Sequence, residues 1–113
     1  MIKVKFIKEG IHYKCLSNFI DKDIDLLELL LLDLNTFNEI NSFENIVFLK
    51  NKNYWKETVK INIEKDEVIF IENYAFDENY IASKIMSKKN LQEILNDWKI
   101  FLKIKNEFEM KYF

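Results

Sequence analysis

The sequence predicts an α+β fold: an antiparallel sheet of about four to six strands packed against a long C-terminal helix and a second helix near residues 23–38. Three observations carry this expectation. The N-terminus alternates apolar residues with Lys at the two-residue period of a strand. The stretches after Asp23 and after Ser87 switch to apolar recurrence every three or four residues, the period of a helix. Between them, alternation returns around Val59, Ile61 and Ile63. With 113 residues, one Gly and no Pro, nothing resembles a linker, so one domain spanning 1–113 is expected.

Ile2, Val4 and Phe6 fall on one side of the first strand and Lys3 and Lys5 on the other. Glu9-Gly10 supplies the turn, and Ile11 to Phe19 reads as the return strand of a hairpin. From there Ile24, Leu27, Leu31 and Leu34, with Leu30 and Phe37 alongside, describe one helix face. Asp21 or Asp23 suits its N-cap, and the helix should fade near Asn38 to Asn41. Residues 46–49 are expected to form a short strand. Trp55 and the alternation through Ile63 make a surer strand, Lys65-Asp66-Glu67 a turn, and the continuous apolar run Val68 to Ile71 a central strand. Tyr80 to Met86 fits either a strand or a helical turn, with strand preferred. Ser87 then caps the last helix, where Leu91, Ile94, Leu95, Trp98, Phe101 and Leu102 share one arc and Phe108 lies at its edge.

Composition narrows the function. Hydrophobic residues at 49% can fill a core, and 32% charged residues keep the surface wet. Cys15 is the lone cysteine, so no internal disulfide can form and a reducing, cytoplasmic setting is expected. No apolar run reaches the roughly 20 residues that a membrane span needs. All 17 basic residues are Lys, and the net charge is −2. Without the forked guanidinium that grips phosphate and reads guanine, nucleic-acid binding is not expected.

Catalysis needs a nucleophile, a base and an orienting group, and the base is most often His. His12 is the only one, and it lies three residues from Cys15 on a strand, which sends the two to opposite faces. Asp21, Asp23 and Asp25 have the alternate spacing that opens a calcium loop, but the required Gly and later Glu are missing. They read as solvated acids at a helix entry. Asp66-Glu67 and Asp77-Glu78 read as solvated corners, and Gly10 alone cannot cradle a phosphate. No enzyme activity, metal or cofactor is therefore expected.

Charge placement does point somewhere. From Asp21 to Leu49 there are seven acids (Asp21, Asp23, Asp25, Glu28, Asp33, Glu39 and Glu44) against a single Lys, a formal −6, while the remainder carries +4. With Ile24, Leu27, Leu31 and Leu34 facing the core, Leu29 and Leu32 should face outward beside Asp25, Glu28 and Thr36. A mixed apolar and acidic patch of that kind suits docking onto a basic protein. Ile100 and Ile104 lie off the main arc of the last helix and offer a second surface, through which a homodimer could form.

Residues 55–102 also carry a pattern: a Trp-led strand, the hairpin Lys65-Asp66-Glu67-Val68-Ile69, the segment Glu72-Asn73-Tyr74, then Leu91-Gln92-Glu93-Ile94-Leu95-Asn96-Asp97-Trp98 closing with Phe101-Leu102. In this pattern the chain resembles the small immunity proteins of bacterial polymorphic and contact-dependent toxin systems. The resemblance implies a stoichiometric inhibitor that covers a toxin, often a basic nuclease, in the cytoplasm of the producing cell. It transfers no functional residue. A phage- or mobile-element-encoded inhibitor of a host nuclease and a small homodimerising structural subunit stay open beside it.

Overall fold

The structure is a computed structural model that describes residues 1–73 and 81–113. It is α+β, with the elements β1 (Ile2–Glu9), β2 (His12–Ser17), β3 (Ile20–Asp21), β4 (Ile24–Asp25), α1 (Leu26–Asp33), α2 (Phe37–Glu44), a π-helical turn (Asn45–Leu49), β5 (Tyr54–Trp55), β6 (Val59–Glu64), β7 (Glu67–Glu72), β8 (Ser83–Ser87), α3 (Lys88–Ile104) and β9 (Phe108–Tyr112). The strands form a three-stranded sheet in the order β2-β1-β9, a β3-β4 ribbon and a four-stranded sheet β5-β6-β7-β8, all antiparallel.

The first hairpin closes at Gly10, whose φ of +63° is the left-handed backbone that a tight turn needs. Its register pairs Phe6 with Cys15, both buried, and Glu9 with His12, both exposed. His12 and Cys15 therefore lie on opposite faces, and burial pushes the Cys15 thiol well above its ordinary value. β7 pairs on both sides, as its unbroken apolar run requires of a central strand. The preferred strand reading near Met86 holds for Ser83–Ser87, whereas Tyr80, like Asp77 and Glu78, lies outside the described residues.

Five expectations are corrected. The helix near 23–38 is two helices. Lys22 and Asp23 both take positive φ, 50° and 65°, so they turn the β3-β4 ribbon, and the N-cap of α1 is Asp25. The chain then leaves the helix at Leu34 because Thr36 starts a new one: its hydroxyl caps the helix by accepting from the Glu39 N–H and donates to the Glu39 carboxylate, a local box in which the hydroxyl serves both bonds. α2 consequently runs on to Glu44 where the helix was expected to fade, and 45–49 is a π-helical turn in place of a strand. Phe108 belongs to β9, not to the edge of the last helix. Lys105, at φ +62°, ends α3, and the chain reverses to pair with β1.

α1 packs on β2 and reaches β6 and β7, while α3 packs on β7, β8 and β9, so the two helices tie the sheets into one apolar cluster. Ser87 caps α3 by accepting from Asn90 N–H, and Leu91, Ile94, Leu95, Trp98 and Phe101 are buried along its inner face. Trp98 and Phe101 meet Phe6 at ring separations of 6.1 and 5.8 Å. Burial of each large side chain contributes about 2 kcal/mol or more. Among the described residues no helix is long and apolar enough to cross a membrane.

Candidate partner-binding site

The acids of residues 21–44 do not share one face. Asp21, Asp25, Asp33, Glu39 and Glu44 are each drawn toward a different donor or cation in the fold, and the seven acids separate into three places. At the entry to α1, Asp21 accepts from Ser83 N–H at 2.9 Å, which fastens the ribbon to β8. Asp25 accepts from Ser17 N–H and hydroxyl, both at 2.7 Å, and from Glu28 N–H at 3.0 Å, so its carboxylate is occupied by the fold. Asp23 is exposed on the turn. Glu28 is half-buried, and partial burial together with Asp25 raises its pKa above the ordinary 4.5, against an opposing pull from Lys14. Far along the segment, Glu44 forms an ion pair with Lys99 of α3 at 3.0 Å.

The third group converges. Leu32, Asp33, Asn35 and Glu39 border an open depression of about 460 Å³ with Lys56 and Glu57. A second depression of about 440 Å³ is bordered by Trp55, Lys56, Glu57 and Asn73. Lys56 and Glu57 border both, so the two form one strip from the α1–α2 junction to the edge of the four-stranded sheet. Leu32 is 42% exposed and Trp55 71% exposed. Leu29, expected to face outward with Leu32, is instead half-buried against the core, because α1 is covered by both sheets over a wide arc.

Hydrogen bonds hold this strip in shape. Thr58 donates its hydroxyl to Asp33 at 2.6 Å and lies 3.2 Å from the Leu29 carbonyl. Asn73 donates its side-chain amide to the carbonyls of Lys56 and Glu57 at 2.8 and 3.2 Å. Lys56 pairs with Glu39 at 3.0 Å. That hydrogen bond, helped by Thr36, lowers the Glu39 pKa and raises that of Lys56, so the pair stays charged near neutrality. Tyr54, behind them, has its phenol pushed up by burial and stays neutral. An ammonium and a phenol held in these states are hydrogen-bonding groups and fixed charges, suited to recognition. Among the described residues, no three His, Cys, Asp or Glu side chains come together to hold a metal.

Of the sequence-derived candidates, then, Leu32, Asp33, Thr36 and Glu39 meet around the strip, and Asp21, Asp23, Asp25, Glu28, Leu29 and Glu44 do not join them. Trp55, Lys56 and Glu57 were not among the candidates. The alternation of Trp55 with Val59, Ile61 and Ile63 puts it on their apolar face in one strand, but residues 56–58 turn the chain between β5 and β6, so Tyr54 opposite Ile61 is buried and Trp55 opposite Lys60 is exposed. The strand register continues the outer face from Trp55 across Lys60 to Ile71, with Ile69 and Ile85 beside it and Ile85 exposed. Asn62, in the same face, has a side-chain carbonyl that is shielded from solvent and, among the described residues, accepts no hydrogen bond. Compared with protein-family models, curated proteins and solved structures, the chain matches none.

Proposed function

We propose that this chain is a binding protein of the immunity type, which neutralises a partner protein by forming a stoichiometric complex, and that the partner docks on the strip from Leu32 to Trp55. The observation that carries the proposal is Trp55: a large aromatic side chain, mostly exposed, at the far end of the strip from Leu32 and beside a hydrogen-bonded polar rim. Buried Trp anchors dominate protein interfaces, and leaving one in water gains nothing for the folded monomer. The continuing apolar face supports the same reading, since exposed Ile85 leaves contact for another molecule to complete. The pattern of residues 55–102 supplies the immunity-type setting.

The test begins with capture of the partner from the native host and assay of its activity at increasing ratios of this chain. Inhibition should saturate at a fixed stoichiometry. Trp55→Ala and Leu32→Asp, each shown to keep the wild-type circular dichroism and melting temperature, should weaken capture by at least tenfold, as expected of interface anchors worth about 2 kcal/mol or more. Full capture and inhibition by both variants would exclude this surface.

Ile100 and Ile104, each 50% exposed on α3, favour a second reading, a homodimer. Light scattering that gives the monomer mass across a hundredfold concentration range removes it.

A further inference from the structure

Resting on that reading, we infer that the strip receives an arginine-bearing basic segment of the partner, with a guanidinium laid on Trp55 and bonded by the carboxylates of Asp33 and Glu57. The acceptors around the strip are not equally free. Glu39 is spent, with one oxygen on Thr36 and the other on Lys56. Among the described residues Asp33 uses only Oδ2, toward Thr58, and no partner there takes Oδ1. Glu57 is exposed, and among the described residues no cation pairs with its carboxylate. Asp33, Glu39 and Glu57 thus face Lys56, already neutralised by Glu39, and Lys60 over the Trp55 ring, so the strip keeps a formal charge of −1 beside its aromatic plate.

Trp55 already attracts a cation. The Lys60 ammonium lies 5.8 Å from the ring centroid, within cation–π range, while the side chain stays mostly open. A guanidinium suits what remains better than an ammonium does, because it stacks flat on an indole and offers a fork of N–H donors to flanking carboxylates. The backbone carrying Glu57 is pinned by Asn73, so little ordering is needed on binding. An acidic segment would meet uncompensated carboxylates at close range and be repelled.

The probe is hexa-arginine, with hexa-lysine and hexa-glutamate as controls, titrated at low ionic strength into the isotope-labelled full chain and followed by amide and indole resonances. Hexa-arginine should produce saturable shifts at the Trp55 indole and at the amides of residues 33 and 55–57. Hexa-lysine should bind several-fold more weakly and hexa-glutamate not at all. Asp33→Asn with Glu57→Gln should weaken hexa-arginine at least tenfold, and so should Trp55→Ala, with the remaining spectrum unchanged in both. Shifts gathered instead around Asp21, Asp23 and Glu28, or an affinity indifferent to the double variant, overturn the inference. Absence of hexa-arginine binding, while Trp55→Ala still abolishes partner capture, overturns the inference alone and leaves the docking surface in place. Partner capture that survives Trp55→Ala removes both.

Discussion

Glu28 shows how one side chain reports its neighbours. Partial burial is the largest influence on its pKa, the Asp25 carboxylate the next, and both raise it, with Glu9 adding a little and Lys14 opposing. A carboxyl whose pKa is higher in the folded state binds its proton more tightly there, so its ionisation works against folding. The penalty is absent below the unfolded value near 4.5 and is fully present once the pH exceeds the raised folded value. Glu28→Gln, which keeps the backbone N–H that Asp25 accepts from, should therefore melt above the wild type at pH 7. The difference should close as the pH is lowered toward 4, a trend that melting curves across this range will check. Glu39 has the opposite sign: its lowered pKa stabilises the fold above the ordinary carboxylate range and ceases to do so on acidification.

At the scale of elements, the break between α1 and α2 has the most consequences. It frees the Leu34 carbonyl, and Trp98 of α3 donates its indole N–H to that oxygen at 2.7 Å inside the core. One residue thus both fills the centre of the aromatic cluster and satisfies a helix end that would otherwise be buried without a partner. Trp98→Phe keeps much of the packing but orphans the carbonyl. It should cost roughly 1–3 kcal/mol in urea unfolding. Trp98→Ala, which also opens a cavity, should cost about 3–5 kcal/mol. A loss below 0.5 kcal/mol on Trp98→Phe, an order-of-magnitude floor set by the net value of one hydrogen bond, would mean the break is held by the Thr36–Glu39 box alone. The break also opens the depression beside Leu32, since a continuous helix would carry residues 35–39 along the axis of α1.

For the molecule as a whole, the question is whether two sheets make one folding unit. Val4 and Phe6 of the three-stranded sheet, Val59, Ile61, Val68 and Phe70 of the four-stranded sheet and the inner faces of α1 and α3 belong to a single buried cluster. The radius of gyration is 13.4 Å, close to the roughly 13 Å expected of one compact domain of this length. Ion pairs add little to that unity, because Lys99–Glu44 and Lys56–Glu39 are both partly exposed. Trp55→Phe leaves Trp98 as the sole tryptophan, and its emission and the far-ultraviolet circular dichroism should then lose structure at the same urea concentration. Separate midpoints would show that the sheets unfold independently.

Periodicity alone determined the class of the fold, the first hairpin, the central strand β7 and the whole of α3 with its Ser87 cap, because each is specified by contacts within a few residues or by a long apolar repeat. Local signals were also present for the features that escaped: Thr36 with Glu39 three residues later is a capping pattern, and Phe108, Met110 and Tyr112 alternate as a strand does. They are masked by the helical spacing of Leu34 with Phe37 and of Phe101 with Phe108, which competes with them at the same positions. What no local reading could decide is where the carboxylates end. Asp21 is fixed by Ser83, Glu39 by Lys56 and Glu44 by Lys99, partners that lie 17 to 62 residues away. Charge along a chain adds up by sequence, but a surface field depends on which charges remain unpaired after folding, and only the tertiary structure sets Asp33 and Glu57 along the strip that ends at Trp55.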